Sequence, residues 1–173
     1  MDIKFKKLVE PTREIADCFN RWDNDPTLIP FIRPNKDQQA LEAREVVTPK
    51  ELEQRLEHHQ MYLIYLDDQL VGEIEYQIDP KHLYKKEVRT AWIGIIIGEE
   101  IARGKGIGRL AMEYLEEQIM LQGLKRIELG VFEFNKPAIR LYETMGYREF
   151  ARIESFTYWQ GKMWQDIRME KYV

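Results

Sequence analysis

Hydrophobic positions change period several times along the chain, and each change marks an element. Ile3, Phe5 and Leu8–Val9 alternate with lysines, which predicts a first strand. From Pro11 to Asn24 the spacing becomes helical. Ile15, Cys18, Phe19 and Trp22 share one face there, so Cys18 is expected to pack rather than to act as a nucleophile. Pro26, Pro30 and Pro34 forbid a continuous helix through the next segment. Residues 25–47 therefore read as a loop with some helix within Gln38–Val47, and as the place for a partner-specific surface. Thr48, Pro49 and Glu51 form a capping box with proline at the first helical position, opening a helix that runs to about His59.

Period two follows. Residues 61–66, the turn Asp67–Gln69 and residues 70–78 predict a β-hairpin. A third run, from about Glu87 to Gly98, ends in an apolar stretch and predicts a central strand. Beyond a glycine-rich turn, Ile107, Leu110, Ala111, Tyr114, Leu115 and Ile119 line one face of a long amphipathic helix closed by Gly123. Ile127, Leu129 and Val131 alternate as a further strand. Asn135 caps a second helix, with Pro137 in its first turn and Gly146 at its end. Tyr147–Tyr158 and Lys162–Tyr172 are two last strands around a turn, an exposed hairpin that is a candidate surface for a homodimer. Antiparallel strands, then strand–helix–strand–helix, then a hairpin make an α+β fold with a mixed, mostly antiparallel central sheet flanked by helices.

Composition narrows the class. A length of 173 residues suits one domain, and 44% hydrophobic with 12% aromatic content argues against disorder. Twenty-six basic against 30 acidic residues give a net charge of −4, unlike the basic footprint of a nucleic-acid-binding domain. The single cysteine excludes a disulfide framework within the chain and favours a reducing compartment. The N-terminal residues have no apolar signal core, and the apolar stretch Ala91–Gly98 is far short of the roughly 18 residues of a membrane helix. The expectation is a cytoplasmic protein with no nucleic-acid or membrane partner. His58 and His59 are adjacent, about 100° apart on a helix, and no metal motif occurs, so no metal is expected.

The segment Arg103-Gly104-Lys105-Gly106-Ile107-Gly108-Arg109 joins an apolar strand to an amphipathic helix. Glycines allow close backbone approach, and the helix N-terminus adds partial positive charge, which suits an anion. A Walker A loop is excluded, because Gly106 stands where its magnesium-binding hydroxyl belongs. Gly106-x-Gly108-x-x-Ala111, with Glu128 following, matches the dinucleotide fingerprint and keeps a dinucleotide-dependent oxidoreductase as an alternative. Arg103, Gly106 and Gly108 also make R-x-x-G-x-G at a strand–helix junction, and Asn135, Ala138, Tyr142, Gly146 and Tyr147 make N-x-x-A-x-x-x-Y-x-x-x-G-[FY]. Together these resemble motifs A and B of the GCN5-related N-acetyltransferase (GNAT) superfamily, over about residues 87–150. The last hairpin, with Gly161-Lys162, Asp166 and Met169, resembles the ribosomal-protein (RimJ/RimL-like) and polyamine acetyltransferase branch.

The resemblance implies an N-acetyltransferase that uses acetyl-coenzyme A and acts on a small-molecule or peptide amine. It implies that residues 103–109 hold the pyrophosphate, that the backbone of Ile95, Ile96 and Ile97 holds the pantetheine arm, and that this strand splays from the next to admit the thioester. It places Asn135, Ala138 and Tyr142 at the cofactor, with Tyr142 as the acid that protonates the departing thiolate. Glu73 and Glu75 share one strand face, and Glu133 ends the strand before the second motif. Glu75 and Glu133 are the candidate bases. Asp23, Asp25, Glu42 and Glu45 favour a cationic acceptor. A non-catalytic acyl-coenzyme A-binding module of the same fold is the remaining alternative.

Overall fold

The computed structural model describes residues 1–173. Its elements run β1 (Ile3–Lys7), α1 (Arg13–Asp23), α2 (Ile29–Ile32), α3 (Gln38–Glu42), α4 (Pro49–Arg55), β2 (Gln60–Leu66), β3 (Gln69–Ile78), β4 (Thr90–Ile97), α5 (Ile107–Leu121), β5 (Arg126–Phe132), α6 (Lys136–Thr144), β6 (Arg148–Trp159) and β7 (Lys162–Tyr172). The segment expected to be mostly loop holds two short helices. Pro30 is accommodated within the first turn of α2, and α3 stops at Glu42, so only the first five of residues 38–47 are helical. Helix α1 is one to two residues shorter at each end than its apolar stripe suggests, and Thr12 Oγ1 accepts from Ile15 N to start it. Cys18 is half-buried and packs against the cluster of Phe19, Trp22 and Leu52, as its place on the apolar stripe implies.

The seven strands form one sheet in the order β1-β2-β3-β4-β5-β7-β6, in which β4–β5 is the parallel pair and the other five are antiparallel. This is the mixed sheet that the hydrophobic pattern implies. It is not the doubly wound parallel sheet of a dinucleotide-binding fold.

Alternation assigns the two faces. Tyr62, Ile64, Ile74, Ile93, Ile127, Leu129 and Ile167 are buried with Ile107, Ala111, Leu115 and Ile119 of α5 in the main core. On the opposite face Met61 and Leu63 pack with Phe19 and Trp22 of α1 and Leu52 of α4. The β4–β5–β7 part of that second face is covered by the connection between β3 and β4, residues 79–89.

That connection is held by buried charge. Glu128 on β5 has no solvent exposure. Its carboxylate accepts from Arg126 Nη2 at 2.8 Å and Arg168 Nη1 at 3.1 Å, and from the backbone N–H groups of Tyr84 and Lys85 at 2.8 and 3.3 Å. Arg168 also donates to the carbonyl of His82, and Arg126 to that of Lys85. Burial by itself raises the Glu128 pKa, but the Tyr84 amide and Arg126 outweigh it and hold the carboxyl below its ordinary value. A lowered folded-state pKa contributes stability that is complete above the unfolded-state value, about 4.3, and is lost as pH falls through the folded value. Glu128→Gln leaves two buried guanidiniums short of one negative charge. We expect it to lose about 3–5 kcal/mol at pH 7, read from the urea midpoint, with the gap to wild type narrowing as pH falls below 4.

Candidate active site

Strands β4 and β5 are paired over three positions, Thr90↔Arg126 to Trp92↔Glu128. Beyond Trp92 and Glu128 they separate, and Ile93–Ile97 of β4 have no partner across the gap. The consequence shows in burial: Ile95, Ile96 and Ile97 lie on a central strand yet are half-buried. A cavity of about 510 Å³ occupies the slot. It is lined from the α6 side by Asn135 and Tyr142, and from the opposite side by Glu73, Glu75, Trp92, Asp166 and Arg168. The cavity therefore crosses the sheet.

On the α5 side the glycine turn closes onto the end of β4. Gly104 and Gly106 have φ of +70° and +77°, and no atom lies within 4 Å of a Cβ built on either. Gly106 occupies the N-cap position of α5 without any side-chain cap, which leaves the first amides of that helix for another partner. Gly108 differs: a Cβ there meets Leu141 Cδ2 of α6 at 3.5 Å, so this glycine faces α6 rather than outward. Arg103 does not reach out to an anion as the sequence suggests. Its guanidinium turns back to the carbonyls of Ile97 and Gly98, at 3.3 and 3.0 Å, and fastens the turn to the strand. Arg109 pairs with Glu113 along the helix. Lys105 is exposed, and Ile107 is buried in the core.

Tyr142 comes from one helical turn below Ala138, which is half-buried. It is 8% exposed and lines the cavity, and burial pushes its phenol up to about 12. Asn135 stands at the N-cap of α6 but makes no capping bond with its side chain; it lines the cavity instead.

The other end of the slot is acidic. Glu75 lies across Gly94 of β4, whose Cβ position is 3.5 Å from its Oε1, and Asp166 lies across Gly130 of β5, where a Cβ would meet Oδ2 at 2.7 Å. Each carboxylate thus leans over a glycine from its own side of the slot. Asp166 accepts from Arg168 Nε at 2.8 Å. A second cavity of about 310 Å³ adjoins the first, sharing Ile32, Glu73, Glu75 and Ile96 with it and adding Asp23, Arg33, Glu45, Arg55 and His59. Of the acidic residues expected in 23–47, Asp23 and Glu45 reach this site, whereas Asp25 caps Thr27 and Glu42 accepts from Gln38.

Of the two candidate bases, Glu75 lies at the slot and Glu133 does not. Strand β5 ends at Phe132, and Glu133 Oε1 accepts from Gln165 N at 3.0 Å, fixing the end of the β5–β7 pair. The sequence marks Asp166 only as part of the last hairpin, not as a residue of the site, and gives no sign of Arg168 or His82. His82 stacks edge-on against Trp92, with ring centroids 4.7 Å apart, and forms part of the wall. No group of three or more His, Cys, Asp and Glu side chains is arranged to hold a metal ion. No helix is long and apolar enough to cross a membrane.

Residues 16–147 match the family model described as the acetyltransferase (GNAT) family. The chain belongs to this family. Over 86 residues it is 31% identical to a spermine/spermidine N(1)-acetyltransferase of Bacillus subtilis, an overlap of 49% of this chain and 57% of that protein. The matched stretch thus spans little more than half of that relative's length. A GNAT-family acetyltransferase from Streptococcus pneumoniae superposes with a TM-score of 0.78 at 20% identity, over 99% of this chain and 100% of that one. A spermidine N-acetyltransferase from Vibrio cholerae, solved with CoA and spermine, superposes with a TM-score of 0.75 at 19% identity, over 98% of this chain and 95% of the other. These two likenesses establish the GNAT fold.

The two glycines of the loop should respond oppositely to alanine. Gly106→Ala forces a side chain into the left-handed region, at a cost of about 1–2 kcal/mol. Gly108→Ala has room and gains helix propensity, up to about 1 kcal/mol. Thermal melts of both variants check this, with Tm expected to fall for the first and to hold or rise for the second.

Proposed function

We propose that the chain transfers an acetyl group from acetyl-coenzyme A to a primary amine on a cationic small molecule or peptide, by direct attack. The observation that carries this reading is the cavity that crosses the sheet between β4 and β5, with Asn135 and Tyr142 on one face and carboxylates on the other, lined by a strand that leads into a glycine turn with the first amides of α5 left uncapped. The residues present fit the cofactor. Gly104 and Gly106 leave their outer side open, the uncapped start of α5 offers N–H groups suited to phosphate, and Lys105 adds charge. The unpaired edge of Ile93–Ile97 offers backbone donors and acceptors to an amide-bearing arm lying beside it. Bound acetyl-coenzyme A supplies the acyl group as a thioester.

The chain's own groups then have distinct tasks. A backbone N–H near Ile96 or Ile97 is the candidate donor to the oxyanion. Tyr142 holds a proton at its phenol oxygen throughout the neutral range, because its pKa stands near 12, and is the candidate donor to the departing sulfur. Four carboxyl groups, Glu73, Glu75, Asp23 and Glu45, outnumber Arg33 and Arg55 at the opposite end, and the excess negative charge draws a cation there. The names of the relatives support the same acceptor class, since two of them are described as acting on spermine or spermidine.

The test is coenzyme A release measured across spermidine, spermine, simple diamines, aminoglycosides and peptides with free N-termini. Amine-dependent release favouring polycations is expected. If no amine elicits release while acetyl-coenzyme A still binds, the chain is a binding module rather than an enzyme. Tyr142→Phe removes one donor and almost no volume. Turnover should fall by roughly 10²–10⁴ while the melting temperature and the Kd for acetyl-coenzyme A hold. A variant with full turnover ends the general-acid assignment.

A further inference from the structure

Among the carboxylates at the slot, Glu73 stands apart. It is 5% exposed, lines both cavities, and its Oε2 has no hydrogen-bond partner. A buried carboxyl oxygen without a partner is costly in a fold, and this one borders the space where an acceptor would sit. Most of the charged groups around it are paired with one another, and His59 Nδ1 is the other buried polar atom that has no hydrogen-bond partner. On α1 and α4, Asp23 Oδ2 accepts from Arg55 Nη2 at 3.1 Å. After α4, His59 Nδ1 lies 3.1 Å from Glu75 Oε1. Arg33, beyond α2, donates to the carbonyls of Ala40 and Ala43, with Glu45 at 3.9 Å.

We propose that Glu73 is the group that takes the proton from the acceptor ammonium, with Glu75 and His59 as the route by which that proton reaches solvent. The proposal rests on the acetyl-transfer reading above. An ammonium with an ordinary pKa near 10.4 is protonated at neutral pH and has no lone pair to attack with. Its N–H bond breaks, the proton goes to Glu73 Oε2, and the electron pair stays on nitrogen. That pair forms the bond to the acyl carbon while the carbonyl pair moves onto oxygen, and the return of that pair breaks the carbon–sulfur bond. The sulfur takes a proton from Tyr142, which regains one from the nitrogen. The products are an amide and a thiol, and the one remaining proton leaves from Glu73. Desolvation, then Glu75 and Asp23, push the Glu73 carboxyl well above its ordinary value, against the pull of Arg55, which makes it a stronger base than an ordinary carboxylate. Glu75 and His59 line the same second cavity as Glu73 and are each about a fifth to a quarter exposed, so they offer the way from this buried group to water.

The sign of each effect follows. Ionised Glu73 is the active form, so kcat/KM should fall on acidification through an apparent pKa above the usual carboxylate range. Stability runs the other way: a raised folded-state pKa contributes stability below the unfolded value that is lost as pH rises through the folded one. Glu73→Gln should therefore fold, melt at a temperature equal to or above wild type at pH 8, and lose kcat/KM by roughly 10²–10⁴ together with the acid limb. Glu73→Asp should recover part of the rate and keep a limb. Glu133→Gln, away from the slot, should match wild type.

Wild-type turnover that persists within threefold in Glu73→Gln, with its acid limb intact, overturns the proposal and leaves the acetyl-transfer reading standing. So does loss of the limb in Glu75→Gln but not in Glu73→Gln. A Glu73→Gln protein that loses activity only in step with its melting temperature, with no recovery in Glu73→Asp, makes the residue structural. Absence of amine-dependent release by the wild type overturns both readings.

Discussion

A carboxylate shut away from water, held between two guanidiniums, sits at the root of the slot in this sheet. Glu128 occupies the last position at which β4 and β5 are paired, opposite Trp92. Above it the strands part and the cavity begins. Below it, Arg126 ties the same carboxylate to Glu170 on β7, at 2.7 Å. A buried ion pair of this kind is weak evidence of stability, since a well-packed apolar substitute often does as well. Its contribution is positional. Four donors from three segments converge on two oxygen atoms, so β5, β7 and the 79–89 connection have little freedom to move relative to one another.

The wall of the cavity inherits that order. Tyr84 and Lys85 are held by Glu128, and His82 two residues earlier is held by Arg168 through its carbonyl. Arg168 in turn lies over the Trp92 ring, 4.7 Å from its centroid, while its Nε holds Asp166. Trp92, His82 and Asp166 are therefore placed by one network rather than by three independent contacts. Deleting any member is expected to be felt by its neighbours in a non-additive way.

The elements that were legible in the sequence are those written in local chemistry. The period change at Gln60–Leu66, the turn at Asp67–Asp68 and the glycines before Ile107 place the hairpin, the loop and α5 within a few residues. The spacing from Asn135 to Tyr147 places Tyr142 at the slot. What the sequence hides is set by distant partners. Alternation puts Glu73 and Glu75 on one face, but which of them is sealed depends on α1 and α4, some 20 to 50 residues away. Gly130 looks like a flaw in a strand until Asp166 is seen lying across it. Glu133 looks like a strand residue facing the site, yet the strand stops one residue earlier and the side chain turns to Gln165. Arg103 has the right charge and the wrong direction, because nearby carbonyls at the end of β4 claim it first.

A cavity that crosses a sheet has two mouths. Groups entering from the α6 side and from the carboxylate side approach one another through the slot without sharing an entrance. For any pair of reactants that meets there, neither has to leave before the other arrives. The same geometry separates two kinds of sequence drift. Changes on α1, α2 and α4 alter one mouth, while Asn135 and Tyr142 border the other, so one doorway can be rebuilt while its opposite stays as it was.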